Sequence, residues 1–270
     1  MFIRLLDFGE LEDFVVQRPA PSDRFGGRTQ PTHPPVPELP VAQTKAAGVV
    51  LASGAGTRVG AELNKVYLPV AGKRVVAWSL DAFARVPGID VLLLVIRPQD
   101  TALAREVLAA HPAEVELVHG GATRQGSELN ALRHLTSRIE SGEIDAVLLH
   151  DAARPLVTPE LIADVLADTR RYGGAVPGVA ADDIVRVDGD TVSGALPGAI
   201  RVQTPQGFRA APLIEAYETA EREGFVGTDT SSCMERFSAL PVRWVPGSAE
   251  NLKITYPHDL VVAEQVIGRG

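Results

Sequence analysis

Sulfur and aromatic rings are scarce in this chain. One cysteine, Cys233, two methionines, two tryptophans and 5% aromatic residues are found in 270 positions. A lone cysteine excludes an intrachain disulfide and a cysteine metal cluster, so the chain is expected in a reducing, cytoplasmic compartment with Cys233 as a small core residue. Positive charge is the minority: 26 Lys and Arg stand against 34 Asp and Glu, a formal net charge of -8. That balance excludes the basic surface a nucleic-acid backbone requires. A small phosphorylated ligand needs only a few local cations and stays open. No apolar run approaches the roughly 18 residues that span a bilayer. The opening Met1-Phe2-Ile3-Arg4-Leu5-Leu6-Asp7-Phe8 is too short and too early-charged for a secretory signal, so no membrane partner is expected.

What is present reads as one α/β domain behind a tail. Residues 1–45 hold Pro19, Pro21, Pro31, Pro34, Pro35, Pro37 and Pro40 with Gly26-Gly27, a composition that leaves little room for a periodic element. This stretch is expected to be a disordered tail. Over residues 46–270 apolar strands alternate with helix-period segments. Strands are predicted at 47–52, 91–96, 115–118, 146–150, 174–179 and 242–246, and helices at 74–85, 101–110, 125–139, 159–171, 212–222 and 257–268. The alternation predicts a mostly parallel twisted sheet covered on both faces, three layers in all. Ile184-Val185-Arg186-Val187, the turn Asp188-Gly189-Asp190 and Thr191-Val192-Ser193 read as an inserted β-hairpin, spanning about 182–201 with its flanks. It is either an arm that packs on a second subunit or a surface flap.

The richest stretch is Val49-Val50-Leu51-Ala52-Ser53-Gly54-Ala55-Gly56-Thr57-Arg58-Val59-Gly60, followed by Lys65. An apolar strand enters a loop of small residues, Ala52, Ser53, Gly54 and Gly56 among them, whose backbone N–H groups can approach phosphate oxygens. Arg58 and Lys65 supply cations. The glycines fall as G-x-G-x-x-x-G, and the next strand ends in Arg97-Pro98 with no acidic residue for a ribose, which argues against a nicotinamide site. No Gly-Lys-Ser/Thr closes the loop, so a P-loop is also excluded. A tight turn that needs glycine only for geometry is the competing reading.

Val147-Leu148-Leu149-His150-Asp151-Ala152-Ala153-Arg154 delivers Asp151 to the carboxyl end of a buried strand, where open α/β sheets bind ligands. Asp151 is a candidate magnesium ligand, or else only the partner of Arg154. His150 faces the other side of the strand as a packing residue. Gly120-Gly121-Ala122-Thr123-Arg124-Gln125-Gly126-Ser127 is a glycine loop ahead of a helix; Gly121, Arg124 and Ser127 can read a base edge, or Thr123 simply caps the helix. Gln203-Thr204-Pro205-Gln206-Gly207-Phe208 presents polar groups in a proline-held turn. Asn251-Leu252-Lys253-Ile254-Thr255 is predicted as a short strand with Asn251 and Lys253 on one face, where Lys253 is a ligand or a snorkelling surface lysine. Asp229 in Gly227-Thr228-Asp229-Thr230 is either a helix N-cap or a second acidic group at the metal.

Taken in order, LASGAGTRVGAELNKVYLPV, GGATRQGSELNAL, LLHDAARPLV, RVQTPQGF, GTDTSS and PGSAENLKITYPHDL resemble the 2-C-methyl-D-erythritol 4-phosphate cytidylyltransferases of non-mevalonate isoprenoid synthesis. The resemblance covers about residues 46–268. It implies a GT-A-like, Rossmann-like nucleotidyltransferase fold, a homodimer joined by exchanged arms, and magnesium-dependent transfer of CMP from CTP to a polyol phosphate. By motif match it places Arg58 and Lys65 on the triphosphate, Lys253 on the α-phosphate and the attacking phosphate, and Asp151 on magnesium. Arg154, Thr204 and Asp229 would face the acceptor, and Gly121 with Ser127 the cytosine.

The sequence also departs from the pattern. Asn64-Lys65-Val66 stands for Pro-Lys-Gln, Ala122 for an acidic residue, and Asp182-Asp183 for Asp-Thr. The arm arginine aligns with Leu196, with Arg201 nearby. Two alternatives therefore stand beside the resemblance: a cytidylyltransferase for another polyol phosphate such as ribitol 5-phosphate, and a nucleotide-binding protein that has lost turnover.

Overall fold

The computed structural model describes residues 44–54 and 63–269. All but the last two residues of the expected tail lie outside these, as does the glycine loop beyond Gly54. The described residues divide into a core unit, within 41–179 and 202–270, and an arm, 180–201.

The core alternates as the periodicity predicts. In chain order it contains β1 (Lys45–Leu51), the short pair β2 (Pro69–Val70) and β3 (Lys73–Arg74), α1 (Val75–Ala84), β4 (Ile89–Ile96), α2 (Thr101–Ala109), β5 (Glu116–His119), α3 (Arg124–Glu140), β6 (Ile144–Asp151), α4 (Pro159–Tyr172) and β7 (Gly174–Ala180). The arm follows with β8 (Val185–Asp188) and β9 (Thr191–Ala195), and β10 (Ile200–Val202) ends it. The core resumes with β11 (Gln206–Arg209), α5 (Ala210–Glu223), α6 (Thr230–Phe237), β12 (Val242–Pro246) and α7 (Pro257–Ile267).

The sheet order is β7-β11-β6-β1-β4-β5, with β12 also paired to β7. β1, β4, β5 and β6 are mutually parallel and β12 is parallel to β7, whereas β11 runs antiparallel to both neighbours. Strands buried on both faces must be apolar throughout, and the core shows why. Val50, Leu94, Ile96 and Leu148 pack to one side with residues of α1, α2 and α4. Val49, Leu93, Val95, Val147 and Leu149 pack to the other with α3, α5 and α6. Cys233 is fully buried in that second layer, as expected.

Two local expectations change. The segment 203–208 is more than a turn: Gln206–Arg209 forms β11, wedged between β6 and β7. Residues 251–255 form no strand. They are held instead by single bonds, such as Ile254 N–H donating to the Ala153 carbonyl at 2.8 Å, beyond the end of β6. In the arm, β8 and β9 pair antiparallel as predicted, with Val187 opposite Val192. Val185, Val187 and Val192 are 45%, 45% and 64% exposed, an apolar hairpin surface left open to solvent.

Candidate active site

Parallel strands end together, and that brings the motifs to one edge. Leu51 lies in register with Val95 and Asp151, and Ile96 with His119. The loops that follow therefore surround one cleft of about 590 Å³, lined by Ala52, Ser53, Gly54, Lys65, Gly121, Asp151 and Lys253 among others. Residues far apart in the chain thus share one cavity. Arg58 and Gly56 lie outside the described residues.

On one wall, Ser127 joins two loops. Its hydroxyl donates to the Thr123 carbonyl at 2.9 Å and accepts from Ser53 Oγ at 2.8 Å and from the Gly121 N–H at 3.1 Å. The contact is tight enough to demand glycine. A Cβ on Gly120 would sit 2.7 Å from both Ser127 Oγ and Ser53 Cβ, and one on Gly121 would sit 2.8 Å from the Gly126 carbonyl carbon. Thr123 is the N-cap of α3, accepting from the Gly126 N–H at 3.0 Å, and the loop it starts still lines the cleft.

Lys65 opens a 3-10 turn, Lys65–Tyr67, and is 9% exposed. The departure at Asn64 has a structural use. Its amide donates to the Ala52 carbonyl at 3.0 Å and to Asp100 at 3.1 Å, tying the lysine turn to the end of β1 as proline could not. Asp100 in turn holds Arg97 bidentately, at 2.7 and 2.8 Å. Arg97 also lines the cleft. Sequence reading saw Arg97 only as a strand end.

Asp151 is the charged centre. Lys253 Nζ donates to Oδ2 at 2.6 Å, and Arg124 Nη2 lies 3.3 Å from Oδ1. Burial works against ionisation here, yet Arg124 and Lys253, with Arg154, hold the carboxyl well below its ordinary range. It is a carboxylate at any physiological pH. Asp151 does not pair with Arg154, whose Nη1 instead donates to the Asn251 carbonyl at 2.7 Å. Asn251 also donates to the Thr204 carbonyl at 3.0 Å, so the irregular 251–255 segment carries Lys253 to Asp151 through side-chain anchors.

His150 packs, as its position on the strand implies. Burial pushes its value down to about 4, and it lies 5.4 Å from the Phe83 ring. Its Nε2–H donates to the Arg154 carbonyl at 3.2 Å, leaving Nδ1 to accept from the Thr204 hydroxyl at 3.0 Å. That hydroxyl also accepts from the Asp151 N–H at 3.0 Å. Thr204 thus braces the backbone of Asp151. Asp229 is the N-cap of α6, accepting from the Ser232 N–H at 3.0 Å, and it also accepts from Gln206 at 2.9 Å. Of the two readings of Asp229, the geometry supports capping.

Among the described residues no three His, Cys, Asp or Glu side chains cluster as a metal cage. A single ionised carboxylate in a phosphate-sized cleft suits magnesium, which takes one or two carboxylates and completes its shell with substrate phosphates and water. The donor set therefore fits that cation.

The chain is similar to known proteins over the whole of this core. The family model described as 2-C-methyl-D-erythritol 4-phosphate cytidylyltransferase matches residues 46–269. A protein of that name from Cereibacter sphaeroides is 40% identical over 224 residues, 82% of this chain and 96% of the relative. One from Geobacter metallireducens is 38% identical over 81% of this chain and 96% of its own length. Among solved structures, 4-diphosphocytidyl-2C-methyl-D-erythritol synthase from Anaerococcus prevotii superposes with a TM-score of 0.74 at 27% identity, covering 84% of this chain and 97% of that one. The 2-C-methyl-D-erythritol 4-phosphate cytidylyltransferase from Thermus thermophilus gives 0.61 at 31% identity, covering 82% and 98%.

Proposed function

This chain belongs to the 2-C-methyl-D-erythritol 4-phosphate cytidylyltransferase family and is a nucleotidyltransferase that transfers CMP from CTP to 2-C-methyl-D-erythritol 4-phosphate; we propose that the cleft at the strand ends performs the transfer with magnesium. The observation that carries this reading is the meeting of Lys65, Lys253 and Asp151 in one cavity beside the Gly120-Gly121 loop. An acceptor phosphate oxygen attacks the α-phosphorus of CTP in line. The bond from that phosphorus to the bridging oxygen of the β-phosphate breaks, and pyrophosphate leaves with its electron pair. No covalent enzyme intermediate is required.

The residues act by position and charge. Lys65, with Arg58, faces the triphosphate, where charge grows on the leaving pyrophosphate. Lys253 has three N–H donors, and among the described residues its ammonium donates to Asp151 alone. The other two serve the α-phosphate and the attacking phosphate. Asp151 would hold magnesium, which when bound neutralises phosphate charge and orients the oxygens. Ala52, Ser53 and Gly54 serve as the phosphate cradle, with Gly56 assigned to it by motif match alone, and the Gly121–Ser127 wall takes the cytosine. Arg154 is the acceptor-side cation, and Thr204 and Asp229 support that side through Asp151 and Gln206.

The arm completes the proposal. Its exposed valines fit a second copy of this chain, in a homodimer whose arms exchange. The decisive assay is pyrophosphate release with CTP, magnesium and a panel of polyol phosphates. Turnover with ribitol 5-phosphate but not with 2-C-methyl-D-erythritol 4-phosphate would overturn the substrate, and CTP binding without release would overturn the enzyme.

A further inference from the structure

One buried carboxylate has no part in the division of roles above. Glu128 is 1% exposed on α3, in a face otherwise made of Leu129, Leu132 and Leu135. The Tyr217 hydroxyl on α5 donates to Oε2 at 2.6 Å, and the Thr230 hydroxyl at the start of α6 donates to Oε1 at 3.0 Å. Its third neighbour is Arg124, whose Nε lies 3.1 Å from Oε1. A buried ionic group is weak as a source of stability, since desolvation offsets the attraction.

The position of Arg124 gives Glu128 a use. The guanidinium stands between two carboxylates, Glu128 at 3.1 Å and Asp151 at 3.3 Å. Its buried Nε and Nη2 make no hydrogen bond of good geometry to either. Arginine prefers a bidentate grip on one carboxylate. Without Glu128 the remaining carboxylate within ion-pair reach, among the described residues, is Asp151, whose Oδ2 already accepts from Lys253. A bidentate arginine there would occupy the other oxygen as well.

We propose that Glu128 is a positioning residue of this enzyme: it shares Arg124 with Asp151, and so keeps the guanidinium from closing bidentately on the carboxylate that would take a divalent cation. The inference rests on the reading of Asp151 as the metal ligand. Glu128 acts entirely through Arg124, and two helices fix it in place through Tyr217 and Thr230.

The test is manganese binding to the full-length protein with CTP and no acceptor, read by water-proton relaxation. Glu128→Gln keeps the shape and replaces one carboxyl oxygen with an amide that cannot pair with Arg124. It should weaken manganese binding about tenfold, the scale on which partners of metal ligands act. In an Arg124→Gln background the same substitution should change nothing further. Wild-type affinity in Glu128→Gln, or an equal loss in both backgrounds, would overturn the proposal. Should Glu128→Gln not fold, Tyr217→Phe removes one anchor of the carboxylate and should weaken binding in the same direction; unchanged affinity there counts against it. Asp151→Asn separates the two levels. Wild-type affinity in that variant overturns the metal-ligand reading and this proposal together, whereas lost affinity there beside wild-type affinity in Glu128→Gln overturns this proposal alone.

Discussion

Asp151→Asn tests the charged centre most directly. The carboxylate is 12% exposed, with Lys253 at 2.6 Å and Arg124 at 3.3 Å. An amide of the same size leaves Lys253 without its counter-ion and Arg124 with Glu128 alone. Breaking a buried pair costs about 3 to 5 kcal/mol. Lys253 is 39% exposed, so water takes over part of its solvation, and the loss should fall near the lower figure, about 3 kcal/mol. For a domain of this size that is a fall in Tm of about 6 to 12 °C. Function should move in two opposite ways. Magnesium for half-maximal rate should rise about tenfold or more, because a neutral amide is a poor ligand for a hard cation. CTP binding measured in EDTA should tighten by about tenfold, since a unit charge is worth on the order of 1 to 3 kcal/mol at an effective dielectric near 20. Titration calorimetry reads the second effect and pyrophosphate release the first. Unchanged magnesium dependence together with unchanged metal-free CTP affinity would refute the argument.

Lys65→Ala and Lys253→Ala should each lower kcat by about 10²-fold or more with circular dichroism unchanged, the scale for losing one preorganised electrostatic group; near-normal turnover removes that lysine from the reacting centre. Leu196→Arg should lower the acceptor KM and leave the KM for CTP alone, because a hydrocarbon cannot grip a phosphate as an arginine fork does. Arg201 already pairs with Asp183 at 2.5 Å, so Arg201→Ala should change little; a sharp rise in acceptor KM there, with no effect of Leu196→Arg, would make Arg201 the working arginine. His150 titrates at about 4 when folded, against 6.5 ordinarily. Because the unfolded chain takes up the proton first, its contribution is complete above about pH 6.5 and shrinks as pH falls toward about 4, by about 3 kcal/mol in all. Urea titrations across that window should show the slope in the wild type and a flatter one in His150→Gln; equal slopes would show that His150 is solvated.

The alternation of apolar runs with helical periods was enough to predict the parallel core, because strands buried on both faces and helices buried on one leave different local signatures. The Gly120-Gly121 loop, Asp151 at a strand end and the hairpin were legible for the same reason: each follows from residues within a dozen positions. β11 was not, since Gln206 and Gly207 beside Pro205 read as a turn until two flanking strands supply their hydrogen bonds. Nor was the 251–255 segment, whose course is set by Asn251 reaching Thr204 and by Ile254 reaching Ala153.

The charge arrangement belongs wholly to the tertiary structure. The sequence by itself determined which groups could bind phosphate and metal, because that depends on residue type and on strand ends. Only the fold decided that Lys253, and not Arg154, takes Asp151, that Asn64 reaches Asp100, and that Arg124 reaches Asp151. Those pairings join positions up to 102 residues apart. Their strength depends on burial and on ångström-scale distances, which no local pattern encodes.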